Sequence, residues 1–348
     1  MKATIEDVAR LAGVATSTVT RALQDSPRIS QATKARVRAV VAQLGYRPNT
    51  AAAELRIRKS WVIGIIISDN ANPVLADIVR GATAVARRLG YHVILCNSDN
   101  LPEVESEHVS TLLSRQVEGL IVSVAREQGP HLDRLRRLET PLVFVNRQPE
   151  IAERACIAAD NEAATRLATL HLMHVGHRRI GFLHGDLRFS TGRERLAGYR
   201  LAHRQRGLPV DESLIIAGNF DSETTFRAAL ELLARPDRPT ALMSSDIYST
   251  LGMMRAVQAR GLAVPGDLSL IGYDNHPWTE LLSPPLSVVA QPTEQMGVAA
   301  AVALFAQIDG AKAGNGPREA PAIAEYLQRL PCRFVERHSI APPPSHRD

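Results

Sequence analysis

Aromatic side chains are scarce: Trp, Tyr and Phe make up 4% of the 348 residues, so core volume must come from Val, Leu, Ile and Ala. Cysteines number three, Cys96, Cys156 and Cys332. An odd, scattered set gives neither a disulfide framework nor a close pair of metal ligands. Thiols in apolar, strand-like segments fit buried, reduced positions. No apolar run approaches the ~18 residues of a membrane span. No apolar stretch follows Lys2, so a signal peptide is not expected and a cytoplasmic location is. Also missing are a G-x-x-x-x-G-K-S/T phosphate loop, a G-x-G-x-x-G turn after a strand and a G-x-S-x-G elbow. Without them nothing points to an enzyme or to a cofactor. His171, His174 and His177 cluster, but no Cys or carboxylate group accompanies them, so a metal site is not expected.

What is present is unevenly charged. Residues 1–60 hold eleven Lys and Arg against four acids, a head of +7 on a body of −2. A basic head on a near-neutral body points to a polyanionic partner. Three short helices are legible in it. Thr4 can cap the first, with Asp7 three residues on, and Gly13 permits the following turn. The second is expected at about 17–23, with Thr16 as its cap and Val19, Ala22 and Leu23 inward. Ser30 caps a third that runs to Leu44, with Val37, Val40, Val41 and Leu44 at helical spacing. Helix, glycine turn and short second helix form the helix-turn-helix pattern. Its exposed side would carry Thr16, Ser17, Thr20 and Arg21, hydroxyls and a guanidinium suited to phosphates and base edges of double-stranded DNA. Beyond Pro48, residues 49–59 read as a short hinge helix that forms only with support, with Leu55 available as an apolar wedge.

From residue 61 strand and helix patterns alternate, in two sets: strands at 62–68, 91–96, 119–122 and 142–146, then at 179–183, 241–244 and 268–273, with helices between. Such alternation predicts parallel sheets with crossover helices, and two sets predict two lobes. In open α/β sheets ligands sit at the carboxyl ends of strands. Asp69, Asn146 with Arg147, Ser245 with Asp246, and Asp274 fall there. A solute-binding protein and an enzyme on the same scaffold stay possible on this pattern alone; the basic head argues against the first and the absent catalytic motifs against the second.

The chain resembles the lactose-repressor/galactose-repressor family of bacterial regulators. The resemblance rests on Thr4-Ile-Glu-Asp-Val-Ala-Arg-Leu-Ala-Gly-Val14, Ser17-Thr-Val-Thr-Arg21 and Leu44-Gly-Tyr-Arg-Pro-Asn49 in the head. In the body it rests on Asn72-Pro73, Gly176-His-Arg-Arg-Ile-Gly181, Arg193-Glu-Arg-Leu-Ala-Gly-Tyr199, Pro265-Gly-Asp-Leu-Ser-Leu-Ile-Gly-Tyr-Asp274 and Gln291-Pro292. It implies an all-α helix-turn-helix head on a periplasmic-binding-protein-like core of two doubly wound parallel-sheet lobes. It implies a repressor of carbohydrate use, a homodimer on a palindromic operator, controlled by a small-molecule effector, by default a sugar.

The implied organisation is a DNA-binding domain at 1–47, hinge and linker at 48–60, an effector-binding and dimerisation core at 61–340 and a disordered tail at 341–348. Within the core, one lobe would take about 61–160 and 291–321, the other about 161–290 and 322–340. By the same resemblance DNA contacts fall on Thr4, Thr16, Ser17, Thr18, Thr20, Arg21, Ser30 and Asn49, with Ala52 pairing the hinges and Leu55 entering the minor groove. The effector pocket would use Asp69, Leu75, Asn146, Thr191, Arg195, Phe220, Ser245, Asp274 and Gln291. Val74 and Leu75 stand where the family carries aromatics, which makes that wall less suited to stacking, and Ser245 replaces a common Asn.

Overall fold

The computed structural model describes residues 3–23, 25–46, 60–151, 154–312 and 327–344. The expectations for Asn49, Ala52 and Leu55 lie outside the described residues. The chain divides into two units, 1–60 and 61–348.

The first unit holds α1 (Ile5–Ala12), α2 (Thr16–Leu23) and α3 (Gln31–Leu44). Thr4 and Asp7 form a reciprocal capping box, which satisfies two backbone donors that α1 would otherwise leave open. Gly13 closes α1 at φ 62°, a left-handed turn that a side chain would strain. α2 begins one residue earlier than the sequence suggested. Ala15 O accepts from the amides of Thr18 and Val19, so Thr16 is the first helical residue and not the cap. Val8, Val19 and Val37 are fully buried at the centre, with Ala9, Ala12 and Ala22 small enough to let the helices approach. Buried Lys34 and exposed Arg38 both reach Asp25 Oδ1, at 3.1 and 3.0 Å, and tie α3 to the loop after α2.

The second unit contains two six-stranded sheets. The first has β1 (Val62–Ile67), β2 (His92–Asn97), β3 (Leu120–Val122), β4 (Leu142–Val145), β5 (Ala155–Ala159) and β11 (Leu327–Leu330), in the order β11-β5-β4-β3-β1-β2 and parallel throughout. The second has β6 (Ile180–His184), β7 (Ile215–Ala217), β8 (Ala241–Ser244), β9 (Ser269–Tyr273), β10 (Ser287–Ala290) and β12 (Arg333–Val335), in the order β12-β10-β9-β8-β6-β7. Only the edge pair β10–β12 of this sheet is antiparallel. Near-continuous apolar strands such as Val-Ile-Gly-Ile-Ile-Ile in β1 are what burial on both faces requires. Helices α4 (Pro73–Arg88), α5 (Pro102–Ser114), α6 (Leu132–Arg136) and α11 (Thr293–Lys312) serve the first lobe; α7 (Asn161–Val175), α8 (Ser190–Gln205), α9 (Ser222–Ala234) and α10 (Ile247–Ala259) serve the second.

Two boundaries differ from expectation. The third crossing between lobes does not fall near 322, because 327–330 pair with β5; it lies between Leu330 and Arg333. Nor is the tail free from Ala341 on: Ala341 donates to Ser269 Oγ and accepts from His177. His177 is fully buried and also bonds Thr240 and Ser269, so that histidine anchors the chain end to the second lobe.

α4 and α11 cross with backbone on backbone. A Cβ on Gly297 would lie 2.0 Å from Ile78 O, and one on Gly81 2.1 Å from Glu294 O. Gly297→Ala therefore must push the helices apart, with an expected loss of roughly 1–3 kcal/mol. A denaturation midpoint unchanged from wild type would contradict this packing.

Candidate functional site

The first candidate surface is the outer side of α2. Positions 16, 17, 20 and 21 share one side at helical spacing. Thr16, Ser17 and Arg21 are exposed, and Thr18 and Thr20 half-buried. Thr20 Oγ1 donates to Thr16 O at 3.1 Å and keeps its lone pairs for an incoming donor. Thr4 and Ser30 both cap helices, binding the amides of Asp7 and Thr33. Three cations of this unit are neutralised locally, Arg10 by Asp7 and Lys34 and Arg38 by Asp25. Arg21, Arg28 and Arg36 are exposed and make no side-chain bond among the described residues. A row of hydroxyls with an unpaired guanidinium is what phosphate and base-edge contacts need.

The second site is a cavity of about 230 Å³ between the carboxyl ends of the two sheets. Eight of the nine residues expected there line it: Asp69, Leu75, Asn146, Thr191, Arg195, Phe220, Asp274 and Gln291. Ser245 does not. Its hydroxyl turns to Asp246 Oδ2 because Asp246 caps α10, and it contributes only its carbonyl, which accepts from Arg195 Nη1 at 2.5 Å.

Arg195 is the hub. Only 3% exposed, it donates from Nε to Asn161 Oδ1 at 2.8 Å and from Nη2 to Gln291 Oε1 at 3.0 Å, and its guanidinium lies 4.2 Å over the Tyr273 ring. Three of the five guanidinium N–H groups are thus held in place, and the others remain for a ligand. Gln291 Nε2 donates to Asp274 Oδ1 at 2.6 Å, so Arg195 and Asp274 are bridged by an amide instead of paired directly. Burial pushes the Asp274 carboxyl above its ordinary range, against the pull of Arg195 and Gln291.

Arg147, noted from sequence at its strand end, lines the cavity, and other residues in or beside the cavity escaped sequence reasoning. Arg147 follows Asn146 and stacks 3.7 Å over Phe189, which with Phe220 forms an aromatic wall, ring centroids 6.1 Å apart. Tyr248, in the first turn of α10, donates from its hydroxyl across the cleft to Asp69 Oδ2 at 2.8 Å. On the other flank Glu127 reaches from the first lobe to the start of α8. Its carboxylate accepts from Ser190 N (2.7 and 2.8 Å), Ser190 Oγ (2.5 Å) and Arg193 Nη2 (2.8 Å), and it is 2% exposed. A signal existed for Phe189 and Tyr248, aromatics beside helix starts at strand ends. None existed for Glu127.

Among the described residues no group of three or more His, Cys, Asp or Glu could hold a metal ion, and no helix is long and apolar enough to cross a membrane.

A three-helix unit with a hydroxyl-lined second helix, followed by two parallel-sheet lobes around a polar cavity, defines a DNA-binding regulator with a periplasmic-binding-protein-like body. Residues 4–49 match the bacterial regulatory proteins of the lacI family, and residues 169–340 match the periplasmic binding protein-like domain. The chain is 34% identical over 298 residues to the HTH-type transcriptional repressor PurR of Vibrio atlanticus (strain LGP32), covering 85% of this chain and 89% of that protein. It is 32% identical over 296 residues to the ribose operon repressor of Escherichia coli (strain K12), covering 85% and 90%. The lac repressor dimer bound to operator and the anti-inducer ONPF superposes with a TM-score of 0.85 at 26% identity, covering 98% of this chain and all of that one. The chain belongs to the lacI family of bacterial regulatory proteins: it is a transcriptional regulator that binds DNA, and not an enzyme.

Proposed function

We propose that this regulator is a repressor that binds a palindromic operator as a homodimer and is controlled by a sugar or sugar derivative seated between its lobes. The observation that carries the effector reading is the Arg195–Gln291–Asp274 relay facing the Phe189–Phe220 wall inside one cavity. Fixed donors and an acceptor suit the hydroxyls of a ring, and an apolar wall suits its C–H face. The lac repressor, solved as a dimer on operator, supports the dimeric reading. On this reading Thr16, Ser17 and Arg21 read base edges, while Thr4, Thr18, Thr20 and Ser30 contact phosphates. Effector and operator are then linked: whatever factor the effector applies to DNA affinity, DNA applies to effector affinity.

Selection of bound duplexes from a random pool, followed by a screen of sugars for altered binding, tests the whole. Recovery of no preferred sequence would sink it. Arg21→Ala is expected to weaken the selected duplex by about 1–3 kcal/mol and to leave a scrambled duplex nearly unaffected. Equal losses on both would remove Arg21 from base reading.

A further inference from the structure

Contacts between the lobes fix how wide the cavity is. The Tyr248 hydroxyl, from α10 of the second lobe, donates to Asp69 Oδ2, just after β1 of the first. The Arg147 guanidinium, after β4 of the first lobe, lies 3.7 Å over the Phe189 ring, just before α8 of the second. Beside that stack Gln148 N donates to Ser190 Oγ at 3.1 Å, next to the Glu127 clasp. Asp69, Tyr248, Arg147 and Phe189 all line the cavity, so its walls cannot part without breaking these contacts. The volume of about 230 Å³ is therefore a size limit.

An apolar cavity of about 150 Å³ holds benzene, a ring of six heavy atoms. In the same proportion 230 Å³ holds about nine or ten. A pentose or hexose, with about ten to twelve, is of that size, whereas a disaccharide is about twice it. The unclaimed polar atoms also suit one ring. Among the described residues Ser68 Oγ is fully buried in the lining with no hydrogen-bond partner, and the side chains of Asn146 and Thr191 make no hydrogen bond. With the free N–H groups of Arg195 and the second oxygen of Asp274 they can bind the hydroxyls of a single sugar. The aromatic wall does not suit a flat base: Phe189 and Phe220 are tilted by 39° with centroids 6.1 Å apart, which makes one slanted face and no parallel pair to sandwich it.

We infer that the effector is a single-ring sugar, and that the Tyr248–Asp69 bond, by holding the lobes at this separation, excludes disaccharides. This rests on the sugar reading above and adds to it a size class. Tyr248 is the specificity-determining residue.

Calorimetric titration of the full chain tests it, with ribose, arabinose, xylose, glucose, galactose and fructose against xylobiose, maltose, cellobiose, lactose and sucrose, and with adenine alongside. The expected result is a monosaccharide as the tightest ligand, bound at least tenfold more tightly than any disaccharide. Tyr248→Ala should narrow that ratio at least threefold, with the disaccharide gaining affinity. Tyr248→Phe, which keeps the ring and drops only the bond to Asp69, should narrow it less. A disaccharide that binds wild type most tightly would overturn the size class and leave the sugar reading standing. A disaccharide that gains nothing from either variant would overturn the role of Tyr248. Binding of no sugar, or adenine bound more tightly than every sugar, would overturn the sugar reading and the size class together.

Discussion

Glu127→Ala is expected to loosen the two lobes from one another. The substitution strips acceptors from a buried amide and a buried hydroxyl of Ser190 and frees Arg193, whose side chain is 48% exposed and so contributes little. The closed arrangement should lose roughly 2–4 kcal/mol, mostly from the unsatisfied donors of Ser190. Small-angle scattering of the ligand-free protein should show a larger radius of gyration, and amide exchange at Ser190 should accelerate at least tenfold. Glu127→Gln, which keeps one acceptor oxygen, should fall between. Effector affinity should drop with the closed population, since apparent affinity scales with the fraction competent to bind. Unchanged exchange at Ser190 would show that the clasp does no holding.

Arg195→Ala should be the most damaging change in the cavity. It leaves Asn161 Oδ1, Ser245 O and Gln291 Oε1 without their donor and removes the cation beside buried Asp274 and Asp246. Breaking a buried charge network costs about 3–5 kcal/mol. The pH dependence has a definite sign. Burial already raises both carboxyls, and losing Arg195 raises them further. An acid with a folded pKa above its unfolded value binds more protons when folded, so its cost is fully present above the folded pKa and fades as pH falls toward the unfolded one. The variant should therefore regain stability relative to wild type as pH falls toward the ordinary carboxylate range near 4, on the order of 1 kcal/mol for each unit of added shift. Duplex binding should persist while the effector response disappears. Asp274→Asn, close in shape, should abolish the response with little loss of stability; a response retained in both would move the binding site elsewhere.

Apolar strands and helices with clear caps were legible from sequence, as β1, β3, β4, β8 and β9 illustrate. β5, β7, β10, β11 and β12 were not. β11 reads Leu-Gln-Arg-Leu and is a strand because β5 offers it an edge, not through any alternation of its own. The same contrast runs through the cavity. Residues at strand ends announced themselves by position, whereas Glu127 lies in a polar run that resembles a surface loop. Its partner Ser190 is 63 residues away, a pairing that only the folded lobes create. Ser245 failed for a related reason: the hydroxyl had a nearer acceptor in Asp246.

The strand orders of the two sheets correspond position by position, and so do their irregularities. Asn146 and Asp274 each follow the third strand from the outer edge at φ 70°, and each amide bonds the next strand, to Ile157 O and Val289 O. Asp99–Asn100 after β2 match Asn219–Phe220 after β7, all with positive φ. A cradle made of two such halves would accept a ring in either of two end-for-end seatings if shape alone decided. The tie is broken where matched positions differ: Asn146 has an amide nitrogen where Asp274 has a second carboxylate oxygen, and Phe220 stands where the first lobe has Asn100. A duplicated scaffold thus acquires a polarity, and with it the means to tell one end of a molecule from the other.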